Sequence, residues 1–127
     1  MKVCVAGSRS LEHLSPGRVW MYISEAMQAH CQSVNGYEQI TTLIHGGARG
    51  IDTLAGECAA ARGIEVKVYE ARWMRFGKYA GHMRNIEMAA DADFVIAIWD
   101  GESPGTKDMI SFTRTIKKPV YVIEVKE

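Results

Sequence analysis

The run Phe94-Val95-Ile96-Ala97-Ile98 carries no polar side chain. Successive side chains of a β-strand point to opposite faces, so a strand of this composition must be covered on both sides. Four more apolar, β-rich runs occur at Lys2–Ala6, Thr42–Ile44, Val66–Tyr69 and Val120–Ile123, and four amphipathic segments separate the five. In the first segment Ser15 suits a helix N-cap and Pro16 the first helical position, with Val19, Ile23 and Met27 recurring on one face. The second carries Ile51, Leu54, Ala55 and Cys58, and Gly63 stops it. Met83, Ile86 and Ala90 mark the third, and Met109, Phe112 and Ile116 the fourth. Residues 70–81, rich in aromatics and glycine, read as an irregular loop. Strict alternation with right-handed crossovers predicts an α/β fold: one domain over residues 1–127, its parallel sheet flanked by helices on both faces.

The 127 residues suit one domain, and a hydrophobic share of 47% is enough to build its core. Lys plus Arg equals Asp plus Glu at 15 each, so no general attraction to nucleic acid or anionic membrane is expected. Cys4, Cys31 and Cys58 sit far apart in apolar patterns, which predicts buried free thiols and a reducing, cytoplasmic setting. His13, His30, His45 and His82 lack metal spacing, so neither a metal nor a cofactor is predicted. No apolar run approaches the ~20 residues of a membrane span, and the start of the chain lacks the pattern of a secretory leader. The expectation is a soluble protein without a membrane partner.

The strand-to-helix connections are unusual for plain connectors. In a sheet of this kind ligands bind beyond the carboxyl ends of the strands, where all four connections converge. The first supplies Gly7, Ser8 and Arg9. The second is Gly46-Gly47-Ala48-Arg49-Gly50, followed by Asp52. The third contains Trp73 and Gly81, with Arg84 and Asn85 on the helix behind it. The fourth includes Ser103, Gly105 and Thr106. Glycines let an anion approach backbone amides, and a helix start offers unpaired N–H groups with a positive dipole end. The turns at 46–50 and 103–106 are therefore candidate anion seats, with Ser8 as a further donor and Arg9 or Arg84 as a charged, forked contact. Each motif also has a plainer reading. The glycine turn can be a tight turn with Asp52 in the first helical turn, and Ser103 or Thr106 can simply cap a helix. Trp73, Tyr79 and Trp99 can stack on a base or plug the sheet's end. His45 reads as a hydrogen-bonded structural histidine. Asp91, Asp93, Lys117 and Lys118 read as helix-end and surface charges.

Taken together, GSR at 7–9, HGGARGID at 45–52, AGHMRNIEM at 80–88 and the Ser-Pro-Gly-Thr turn at 103–106 resemble the SLOG superfamily, nearest to its small YpsA-related members. The likeness follows the whole chain in order. It implies a Rossmann-like three-layer sandwich with strand order 3-2-1-4-5 and a nucleotide or nucleotide-derived ligand, and relatives of this fold often form homo-oligomers. The superfamily also contains the DNA-processing protein DprA and the "lonely guy" enzymes, which cleave the N-glycosidic bond of nucleoside 5′-monophosphates. Met83-Arg84-Asn85 and Met88 match the helix motif of those enzymes, with Asn in place of Lys. This resemblance makes Arg84 the candidate catalytic residue. Their second motif places a glutamate three residues after the Thr, where this chain has Met109. Asp108, one position earlier, is turned about 100° away on a helix. Cleavage of a ribosyl bond passes through a cationic sugar that a carboxylate stabilises, so Met109 argues against hydrolysis. Asp52, Asp100 and Glu102 are the substitutes within reach in sequence. Three readings follow: a ligand-binding or sensing domain, a phosphoribohydrolase, and a DprA-like accessory disfavoured by the neutral charge.

Overall fold

The computed structural model describes residues 1–126. Its strands are β1 (Lys2–Gly7), β2 (Thr42–His45), β3 (Glu65–Val68), β4 (Phe94–Trp99) and β5 (Val120–Glu124). All pairings are parallel and the spatial order is β3-β2-β1-β4-β5, the Rossmann-like arrangement. The helices are α1 (Pro16–Cys31), α2 (Ile51–Ala61), α3 (Trp73–Phe76), α4 (Ala80–Asp91) and α5 (Pro104–Thr115). Alternation along the strands divides the core in two. Val3, Val5, Leu43, Phe94, Ile96 and Ile98 pack with α1 and α2 on one face. Cys4, Ala6, Ile44 and Val95 pack with α4 and α5 on the other. Both faces of β4 are thus covered, as its composition demands.

Local chemistry explains where the helices begin and end. Ser15 Oγ accepts the Arg18 amide at the start of α1, with Pro16 in the first turn. After α2, Gly63 adopts φ 73°, and the Ile64 and Gly63 amides donate to the Ala59 and Ala60 carbonyls. This double bond pattern is the Schellman stop that glycine favours. The same pattern closes α5: the Lys118 amide donates to Thr113 O and the Lys117 amide to Arg114 O. There, however, the left-handed position is Lys117 at φ 60°, not a glycine.

Residues 70–81 depart from the irregular loop read from the sequence. They hold the single-turn α3, a 3-10 turn over Gly77–Tyr79, and the first residues of α4. Four residues are too few to display a helical period, and Ala80, buried to 1% exposure, anchors the start of α4. The thiols are free, with Cys4 and Cys58 buried and Cys31 partly exposed. No helix of the described residues is long and apolar enough to cross a membrane.

Two of the charges read as helix-end or surface charges have structural work at the end of α4. Lys118 Nζ donates to the carbonyls of Ala89, Ala90 and Ala92 at 2.9, 2.7 and 2.8 Å, closing the C-terminal end of α4. Asp91 accepts from Lys2 Nζ, Lys67 Nζ and Tyr69 Oη, and this ring of donors holds its carboxyl below the usual range. A side chain at a left-handed position is strained where glycine is not. Lys117→Gly should therefore raise stability by about 0.5–1 kcal/mol, read as a higher urea midpoint at unchanged slope; an unchanged or lower midpoint would contradict the strain.

Candidate functional site

Strand order reverses between β1 and β4: the chain leaves β1 toward α1 on one face and leaves β4 toward α5 on the other. A crevice opens between the departing connections. It holds a cavity of about 380 Å³. Gly7, Ser8 and Arg9 line it after β1, Ala48 and Asp52 after β2, and Ser103, Gly105 and Thr106 after β4. Trp73, Gly81, Arg84 and Asn85 complete the wall from α3 and α4. Gly46, Gly47, Arg49 and Gly50 are not part of this wall. Arg49 instead reaches Glu12 at 3.8 Å and is three-quarters exposed. Ala6, Met88 and Pro104 also line the cavity, though the sequence offered Met88 only as a motif match and Pro104 only within its turn. Met88 had a legible signal, since it lies one turn beyond Arg84 on the same helix face.

The glycine turn does not present the open nest of amides that its sequence suggests. Asp52 turns back into it. The amides of Gly46 and Ala48 donate to Asp52 Oδ2 at 2.9 and 3.4 Å, and the Gly47 amide donates to His45 Nδ1 at 3.0 Å. The seat anticipated for an external anion is filled by the chain's own carboxylate. The same bond leaves His45 Nδ1 without a proton, and burial lowers the pKa of that ring. His45 is thus a structural histidine. Gly50, at φ 83° and ψ −123°, holds a conformation open to glycine alone. Gly46 is needed for another reason: a Cβ there would lie 3.0 Å from Arg84 Cζ, Nε and Nη1.

Burial pushes the Asp52 carboxyl up to about 6, against the Gly46 and Ala48 amides and the Arg84 charge, which pull it down. Arg84 Nη1 donates to Gly46 O at 3.0 Å. Its Nε is buried and has no partner, alone in this among the described side-chain atoms. A buried donor left unmade costs about 1–3 kcal/mol, which makes this atom the outstanding open valence of the site.

The fourth connection is also closed in part. Asp100 accepts from Ser10 Oγ, Ser103 Oγ and the amides of Glu102 and Ser103, and these donors hold its carboxyl well below the usual range. Ser103 therefore spends its hydroxyl on Asp100 and makes no side-chain cap on α5. The Gly105 and Thr106 amides, in the first turn of α5, remain uncommitted among the described residues. Ser8 Oγ accepts the Asp100 amide at 3.1 Å, which keeps its own proton free to donate. Asn85 Nδ2 donates to Gly105 O (3.2 Å) and Asp108 Oδ2 (2.9 Å), tying α4 to the start of α5.

The model of a family described as YAcAr, the YspA and cpYpsA-related SLOG family, matches residues 1–76. The chain belongs to that family. The gene 61 protein of Mycobacterium phage D29 is similar, at 34% identity over 100 residues, spanning 74% of this chain and 80% of that protein. The matched residues of the SLOG domain carry Gly7-Ser8-Arg9 and the turn closed by Asp52. The α4 and α5 half of the cavity lies beyond them and stands on its geometry.

That geometry also locates each carboxylate considered for sugar chemistry. Met109, at the glutamate position of the lonely-guy motif, is fully buried in the core beneath α4 and α5. Asp108 pairs with His82 at 2.9 Å and with Asn85. Asp100 is saturated by its donors, and Glu102 is exposed outside the wall. Asp52 is the carboxylate that lines the cavity.

The elevated Asp52 carboxyl has a defined linkage sign. A group whose folded pKa lies above its unfolded value of 3.8 contributes stability in full below that value, and the contribution fades as pH rises through about 6. The whole effect is on the order of 3 kcal/mol. Asp52→Asn should remove it, so the variant's stability relative to the wild type should improve between pH 4 and 7. Parallel denaturation curves for the two proteins across that range would show that Asp52 does not titrate there.

Proposed function

We propose that this SLOG domain binds a phosphorylated nucleotide, or a nucleotide-derived ligand, in the crevice between β1 and β4. The observation that carries this reading is the conjunction, in one cavity wall, of the uncapped first turn of α5 with Arg84 and its unpartnered Nε. A helix start with free amides is suited to a phosphate, and a guanidinium adds charge and paired donors. Arg9, exposed at the rim, and Ser8, with its free hydroxyl proton, extend the same set of donors. The glycine turn is the weaker phosphate seat in this reading, because its Gly46 and Ala48 amides already donate to Asp52. The charge of Asp52 also steers an anion toward α5. Family membership supports a nucleotide-related role of the domain.

Binding without turnover is favoured over N-glycosidic hydrolysis because the motif glutamate is replaced by buried Met109. One observation sustains the hydrolase as a second reading. Asp52 lines the cavity with a carboxyl raised to about 6, within the range of an acid or base.

Titration calorimetry with nucleoside 5′-monophosphates, NAD and ADP-ribose tests the proposal, with chromatography of each mixture for released base. Binding should be lost ten- to hundredfold in Arg84→Ala, the size of a charged hydrogen bond at a buried phosphate. Base released by the wild type and abolished in that variant would transfer the assignment to the hydrolase. Heat-silent mixtures across the panel would remove the nucleotide reading.

A further inference from the structure

The chain has three tryptophans, and two of them are fully engaged. Trp20 is buried, meets Tyr37 edge to face, and carries the Arg62 guanidinium 4.2 Å from its ring centre. Trp99 donates its indole N–H to Ser103 O at 3.1 Å and does not reach the cavity wall. Trp73 is different. It is 58% exposed, and among the described residues no ring stacks on it, no cation covers it and its N–H has no acceptor. Yet it lines the cavity, at the mouth formed by α3 and the start of α4.

We infer that the indole of Trp73 is the platform on which the base of the bound ligand stacks, which makes Trp73 the residue that selects for an aromatic base. The inference rests on the phosphate-holding crevice proposed above. A large apolar ring left open to water forfeits its burial, and a planar base laid on it recovers that area while matching the ring's own preference for offset stacking. Base stacking on an aromatic side chain is strong and tolerant of base identity. The other candidate ring on this segment, Tyr79, is exposed but lies outside the wall. Gly81 keeps the neighbouring space clear: a Cβ there would touch Trp73 Cη2 at 3.9 Å, so any longer side chain would fill the room beside the indole. Charge favours the same placement. Residues 72–79 hold Arg72, Arg75 and Lys78 with no acidic residue, a local excess of positive charge on the segment that carries Trp73. The volume of about 380 Å³ sits at the small end of ligand pockets, which suits one base, one sugar and one phosphate.

The test uses AMP and ribose 5-phosphate as probes, titrated calorimetrically into the wild type, Trp73→Ala and Trp73→Phe. The wild type should bind AMP at least tenfold more tightly than ribose 5-phosphate. Trp73→Ala should weaken AMP about tenfold and ribose 5-phosphate less than about twofold, and Trp73→Phe should recover most of the loss. Equal affinity of the wild type for the two probes, or an alanine variant that weakens both alike, would overturn the platform while leaving the phosphate site standing. A wild type that binds neither probe would overturn the platform, and silence toward NAD and ADP-ribose as well would remove the crevice reading with it.

Discussion

A carboxylate held against its own backbone organises the site of this protein. Asp52 draws the Gly46 and Ala48 amides onto one oxygen and lies under the charge of Arg84, which in turn reaches back to Gly46 O. Three elements converge there: the end of β2, the first turn of α2, and α4 from the opposite face of the sheet. Ionised, the buried carboxylate is unfavourable by itself, and the amides and guanidinium offset that in part. The arrangement sets which donors remain for a ligand. Three amides of the turn that looks most like a phosphate loop are spent internally, while the Gly105 and Thr106 amides of α5 stay uncommitted.

The same logic recurs in the β4 connection, where Asp100 gathers four donors and thereby removes Ser103 from its capping role. Two acidic side chains thus perform one task in two of the connections that flank the cavity. Each closes its own loop from within, and the uncapped start of α5 is what remains facing the space between them.

Much of this was legible in the sequence. The apolar run 94–98 required two covered faces, and Ser15-Pro16 and Gly63 marked helix ends through local chemistry that needs no tertiary partner. The convergence of four loops followed from alternation and crossover handedness. What stayed hidden depends on direction or distance. A Gly-Gly-Ala-Arg-Gly turn followed by an acid reads the same whether the acid points outward or folds back onto the amides. Lys118 caps a helix that ends some 27 residues earlier in the chain, by the bonds to Ala89, Ala90 and Ala92. Local pattern gives no notice of that. The single turn of α3 is shorter than any period, and Lys117 occupies a backbone region where sequence rules look for glycine.

The lysine closure of α4 has a bearing on the far end of that helix. Lys118 follows α5 directly and grips the last carbonyls of α4, while Asn85 joins the first turn of α5 to the body of α4. The two helices are therefore tied at the C-terminal end of α4 and again at its middle, where Asn85 meets the start of α5. The span from Arg84 to the amides of Gly105 and Thr106 is fixed by these ties, so the proposed ligand would meet a wall that needs little ordering.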